Sequence, residues 1–131
     1  MSTSNDLVRE RSKFVDVTAA KVLTLADSGN TFVLKAAGGA AITLPAVAEG
    51  FKIKVITGQL FSSTAWTIVC PSAIGQGGAI VNSVFVPAAD ETTITVAHAA
   101  DTIGDYLEIE SDGASYFISG VGALAGAYTF A

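Results

Sequence analysis

The side chains best suited to chemistry are few: one histidine, one cysteine and a scatter of aspartates. His98 sits in the apolar stretch Val96-Ala97-His98-Ala99-Ala100. A serine or cysteine nucleophile needs a base within hydrogen-bond reach, and no Gly-x-Ser-x-Gly elbow accompanies this histidine. It reads as a surface residue or a satisfied polar group. Cys70 and His98 together cannot close a zinc site within one chain. Asp101, Asp105 and Asp112 lack the spacing of a helix–loop–helix calcium loop and read as turn-solvating groups. Gly75-Gln76-Gly77-Gly78 lacks the Gly-Lys-Ser/Thr ending and following helix of a phosphate-binding loop, and reads as a flexible turn. The expectation is a protein with no catalytic residues, no metal ligands and no cofactor: not an enzyme.

Binding chemistry is the remaining possibility. Trp66, Phe61, Tyr106, Tyr116 and Phe117 could form a stacking platform for sugars or bases, but scattered singly they read better as core. The formal charge of −5 and the absence of a basic stripe argue against nucleic acid as a partner. Cys70 is alone, so no intrachain disulfide is implied. Met1–Lys13 is polar and lacks the apolar core of a signal peptide. The most apolar stretch, Ile118–Ala131, is short for a membrane helix and interrupted by glycine. No membrane is expected as a partner, and synthesis in the cytoplasm is.

The elements that would position such residues are strands. With 131 residues the chain suits one domain. Short runs rich in Val, Ile, Thr or Phe recur between turn residues: Val22–Leu25, Thr31–Lys35, Ala41–Leu44, Phe51–Thr57, Ala65–Cys70, Ala79–Val86, Thr92–Ala97, Tyr106–Ser111, Ser115–Gly120 and Ala127–Phe130. Phe51, Ile53 and Val55 alternate with Lys52 and Lys54, and Leu107 and Ile109 alternate with Glu108 and Glu110. Asp112-Gly113 between two such runs is a strong hairpin signal, expected to pair Leu107 and Ile109 with Phe117. The fold class expected is all-β: an antiparallel β-sandwich, jelly-roll-like or β-barrel-like, spanning 17–131.

Residues 1–16 read as an N-terminal arm. They hold three of the chain's seven basic residues, Arg9, Arg11 and Lys13, and show no strand pattern. An arm of this kind can be ordered by a partner, with Phe14 as an apolar anchor and Arg9, Arg11 and Lys13 meeting carboxylates. Charge is also uneven within the domain. Charged residues make up only 15 % of the chain, against about 25 % in an ordinary domain. None occurs from Val55 to Ala89 or from Gly113 to Ala131. Exposed strands normally carry charge, so these segments are expected either to be covered by a neighbouring subunit or to present Ser, Thr and Asn to water.

Two stretches carry a resemblance. The first is Leu25-Ala26-Asp27-Ser28-Gly29-Asn30-Thr31-Phe32-Val33-Leu34 with Ala41-Ile42-Thr43-Leu44-Pro45. The second is Gly104-Asp105-Tyr106-Leu107-Glu108-Ile109 with Ser111-Asp112-Gly113 and Tyr116-Phe117-Ile118-Ser119-Gly120. In this order they resemble a small β-rich virion domain of tailed bacteriophages, found among capsid decoration (cement) proteins and in tail-fibre or spike modules. Family members often have Trp where this chain has Tyr116. The resemblance implies a structural protein on the outer capsid surface, a trimeric or dimeric cap that binds the major capsid protein and clamps neighbouring coat subunits, with a homotrimer favoured. It brings no catalytic residues. A chain of this length opening at Met1, without heptads, fits a free-standing decoration protein better than a fibre module. The alternative is a receptor- or glycan-binding module of a tail fibre or spike.

Overall fold

The computed structural model describes residues 13–131. Its strands are Phe14–Val17 (β1), Lys21–Val22 (β2), Thr31–Leu34 (β3), Ala41–Thr43 (β4), Lys52–Thr57 (β5), Trp66–Val69 (β6), Gly75–Val81 (β7), Val84–Glu91 (β8), Thr93–Val96 (β9), Tyr106–Ser111 (β10), Tyr116–Gly122 (β11) and Tyr128–Phe130 (β12). One 3-10 turn, Leu25–Asp27, interrupts them; the Asp27 carboxylate accepts from the Thr24 N–H across its start. The chain is all-β and sandwich-like, as its runs of β-branched residues imply. A seven-stranded sheet in the order β1-β3-β5-β10-β11-β7-β8 faces a five-stranded sheet in the order β12-β9-β6-β4-β2.

Both sheets are mixed rather than antiparallel throughout. From β1 to β6 the chain alternates between the sheets, so each strand lands parallel to the one two before it. Thus β1 pairs with β3 and β3 with β5 in one sheet, while β2 pairs with β4 and β4 with β6 in the other. Parallel neighbours need a crossover, and here the opposite sheet supplies it, as in a coil of a β-solenoid. The later strands close the coil: β10 runs antiparallel to β5, and β9 antiparallel to β6. Hydrophobic alternation reports which face a strand buries. It is silent on the direction of the neighbour, which is why the parallel pairs were not expected.

Period 2 accounts for the core. Phe32, Leu34, Ile53, Val55, Leu107, Ile109, Tyr116 and Ile118 point inward from the large sheet and meet Ile42, Trp66, Ile68, Ile94, Val96 and Tyr128 from the small one. Trp66 is completely buried, and its indole N–H donates to the Ala36 carbonyl at 3.2 Å. The Tyr116 hydroxyl donates to the Pro45 carbonyl at 2.6 Å, with Phe51 edge-on to its ring. Both polar tips are thereby satisfied, which is the condition for burying such rings.

The hairpin at Asp112-Gly113 forms as expected, joining β10 to β11. Its register differs from expectation: Ile109 lies opposite Ile118 and Leu107 opposite Gly120, while Phe117 lies opposite Glu110 and is exposed. A one-residue difference in register exchanges the faces. Gly75–Gly78 is strand rather than a free turn. Gly77, at φ 108°, approaches the Ile118 backbone too closely for any Cβ, and the register of β7 on β8 shifts between Gly75 and Gly77. The run Ala79–Val86 is two strands, split by Asn82 and Ser83 at φ 50° and 65°. Two left-handed central residues are what a tight two-residue hairpin requires.

Cys70 lies buried at the end of β6, where desolvation pushes its thiol from 9.0 to about 11. A rise of that size cuts the thiolate fraction at pH 8 by about a hundredfold. Native protein should therefore take up iodoacetamide far more slowly than protein unfolded in guanidinium, as read by mass. Equal rates in the two states would contradict the burial.

Candidate assembly surface

The residues singled out for chemistry do not converge. His98 is exposed in the loop after β9, at the opposite end of the small sheet from Cys70. The aspartates hold loops. The Asp101 carboxylate accepts from the Phe61 N–H at 2.6 Å, and Asp112 accepts from Ala114 and Ser115 at 2.9 and 2.8 Å. Those two backbone donors hold the Asp112 carboxyl below its ordinary range. Asp105 is buried and accepts from Thr102 and Ala123; burial raises its pKa against the lowering effect of these bonds. Among the described residues no three His, Cys, Asp or Glu side chains gather as metal ligands would. No helix among them is long and apolar enough to cross a membrane.

The stacking residues divide. Trp66, Phe61 and Tyr116 are core, Tyr106 is half-buried, and Phe117 is exposed. The sequence reading of aromatics as core therefore holds for the first three and fails for Phe117.

What the fold does assemble is a surface. Strand pairing sets Phe85, Ile80, Val121, Tyr106, Ile56 and Val33 in one row across the outer face of the large sheet. The row grows more exposed toward β8: Val121 is 40 %, Ile80 47 % and Phe85 59 % accessible. Phe117 adds a further exposed ring on β11, and Leu124 an exposed side chain in the loop beyond it. The Phe85 ring lies across β7 at Gly78, whose missing side chain makes room for it. Such a concentration of large apolar groups on one side of a sheet marks an interaction site more often than scattered exposure does.

The two charge-free segments meet here. Val55–Ala89 supplies β7 and most of β8, and Gly113–Ala131 supplies β11, which pairs with β7. The expectation of a wet Ser, Thr and Asn face holds in one sheet and not in the other. In the small sheet the outward side chains of the same segments include Thr67 and Thr129, which with Thr43, Thr93 and Thr95 make a wet threonine face. In the large sheet the outward side chains include Phe117, Val121, Ile80, Phe85 and Pro87, which water solvates poorly, with Ser119 and Gln76 as the polar groups among them.

Charge on this outer face is confined mainly to its centre and its β1 side. Lys52 and Lys54 on β5 stand opposite Glu110 and Glu108 on β10. The Lys54 ammonium lies 4.7 Å from the centre of the Tyr106 ring, a cation–π distance. A shallow hollow of about 200 Å3 opens beside these four residues, under the Gly29–Asn30 turn. An exposed ion pair joins Lys35 to Asp16 at 3.7 Å.

Of the arm residues, Arg9 and Arg11 lie outside the described residues. Lys13 and Phe14 do not stand apart from the sheet: the Lys13 carbonyl accepts from the Thr31 N–H at 2.8 Å, and Phe14 opens β1. The strand thus begins inside the expected arm, because Val15 and Val17 alternate inward while Phe14 and Asp16 face out. Phe14 is 66 % exposed on the outer face of the large sheet, at the edge opposite Phe85. Its availability as an anchor is compatible with this placement.

Comparison with known protein families, curated proteins and solved structures finds no match to this chain.

Proposed function

We propose that this protein is a structural, non-catalytic virion component of a tailed bacteriophage: a capsid decoration (cement) protein that docks on the outer capsid surface and stabilises contacts between coat subunits. The observation that carries the reading is the largely apolar outer face of β11, β7 and β8, which carries charge only at the Asp90–Glu91 end of β8. The sequence resemblance supplies the phage context. A protein that binds only the assembled shell shifts the shell against disassembly by mass action, so a small binder without chemistry suffices for this role. The glycan-binding alternative is less well supported, because Trp66 and Tyr116 are core residues and the exposed large aromatic rings are phenylalanines.

In this reading the coat surface covers Phe85 and Pro87 at the β8 side, and Arg9, Arg11, Lys13 and Phe14 add contacts at the β1 side. Several copies engaged on a symmetric shell multiply weak individual contacts. The test is co-sedimentation with undecorated heads of the phage. Phe85→Lys should weaken binding about tenfold or more, at a nearly unchanged thermal midpoint because the lysine stem can still cover Gly78. Deleting residues 1–12 spares the Lys13–Thr31 bond, so it should leave the midpoint alone while making binding weaker and less salt-sensitive, because the screened arginine contacts are gone. Full binding by the Phe85 variant would remove the basis for the proposed docking side, and no binding by the wild type would refute decoration.

A further inference from the structure

Resting on the reading of this outer face as an assembly surface, we propose that its centre joins two copies of the chain about a two-fold axis. The axis runs parallel to the strands, midway between β5 and β10, so that β5 of each copy lies across from β10 of the other. The basis is the order of charges. On the outer face β5 presents Lys52 and Lys54, and the adjacent β10 presents Glu110 and Glu108 at the same two heights. A two-fold contact uses the same patch on both partners, so the patch must complement itself. A basic column beside an acidic column does so when the axis lies between them. Rotation then exchanges the columns at constant height, setting Lys52 against Glu110 of the partner subunit and Lys54 against Glu108 of the partner subunit.

The charges also exclude the neighbouring alternatives. An axis over β5 would set lysine on lysine, and one over β10 would set glutamate on glutamate, each disfavoured by repulsion. The chosen axis lays β11 over β3, which brings Val121 onto Val33 of the partner subunit and extends the charged centre with apolar contact. The hollow beside Lys52, Lys54, Glu108 and Glu110 leaves room for the facing side chains.

Growth of the sheet at the β8 edge is discouraged. Pro87 offers no N–H, and the Ala89 N–H is turned to the Glu91 carboxylate at 3.4 Å, so the edge is a poor template for another strand. At this side of the sheet assembly falls to the face. A two-fold contact closes at two copies rather than the three favoured from the sequence. It also leaves Phe85 and Pro87 beyond the partner's β1 edge, free for a coat surface, and it sets Phe14 on β1 against β7 of the partner subunit, so that in the dimer Phe14 serves this contact and not the coat.

The experiment uses full-length protein and native mass spectrometry at micromolar concentration. Wild type, E108K/E110K, K52E/K54E and an equimolar mixture of the two variants are compared, with circular dichroism as the check on folding. The wild type should be a dimer. Each reversal variant should be a folded monomer, with self-association weakened about a hundredfold or more. The mixture should form a one-to-one heterodimer, because the all-basic face then meets the all-acidic one. Repair of the cross-strand pairs within one chain cannot produce that result. A mixture that stays monomeric, reversal variants that dimerise like the wild type, or a wild-type trimer would each overturn the proposal. If Val121→Lys disperses the wild-type oligomer while the charge reversals do not, the outer face remains the assembly surface and only the charge register falls. A monomeric wild type overturns the two-fold contact, while the shell-binding test still decides the decoration reading.

Discussion

Replacing Trp66 with alanine is expected to destabilise the protein by about 3–5 kcal/mol, the usual cost of removing a large buried ring. The indole is wholly inaccessible and packs with Phe61. Its loss also removes one of the two donors to the Ala36 carbonyl, which keeps the Gly39 N–H at 3.3 Å, and a single such hydrogen bond contributes about 0.5–1.5 kcal/mol. Against a total stability of about 5–15 kcal/mol for a small domain, the two effects together should leave the variant barely folded at 37 °C. Trp66→Phe separates them, since it keeps most of the packing and loses the donor. Thermal unfolding followed by circular dichroism checks both. A midpoint for Trp66→Ala within a few degrees of the wild type would mean that β6 does not anchor the sandwich as described.

The second large effect concerns assembly rather than folding. Val121 sits on the outer face, 40 % exposed, between Ile80 on one side and Tyr106 on the other. Val121→Lys should change fold stability little, as surface substitutions usually do. In an assembly that covers this face, the ammonium must instead be buried without a partner or hold the subunits apart. Self-association should weaken about a hundredfold, or ~2.7 kcal/mol. Thr129→Lys, on the threonine face of the small sheet, is the matched control and should leave association unchanged. Equal loss in both variants would point to general charge or solubility effects instead of a particular face.

Much of the fold was legible because period 2 is local. Lys52–Thr57 and Tyr106–Ser111 alternate cleanly, so their strands and buried faces followed from residue order alone. Three features escaped for identifiable reasons. Phe14–Val17 is too short, and too close to charged residues, to show a pattern, so β1 was included in the arm. Gly75–Gly78 was read as a turn, because its glycines answer to Ile118 and Phe85, residues remote in sequence. The parallel pairs among β1 to β6 arise from alternation between sheets, a property of topology that leaves no mark on side-chain order.

The candidate surface was half legible. Runs without charge pointed to Val55–Ala89 and Gly113–Ala131, but only the pairing of β11 with β7 shows that they meet. From sequence Phe117 reads as core because singly scattered aromatic rings usually pack there. One position of register turned it outward, and the neighbouring Tyr116 took the buried place.

The central claim is that this chain works by covering its large sheet's outer face with other protein, and equilibrium sedimentation tests it most directly. Across a concentration series spanning about 1–100 µM, the wild type should sediment well above the 13.3 kDa of one chain, while Val121→Lys should fall toward it. A wild type that stays at the mass of one chain throughout, with the variant indistinguishable from it, would contradict self-assembly through this face.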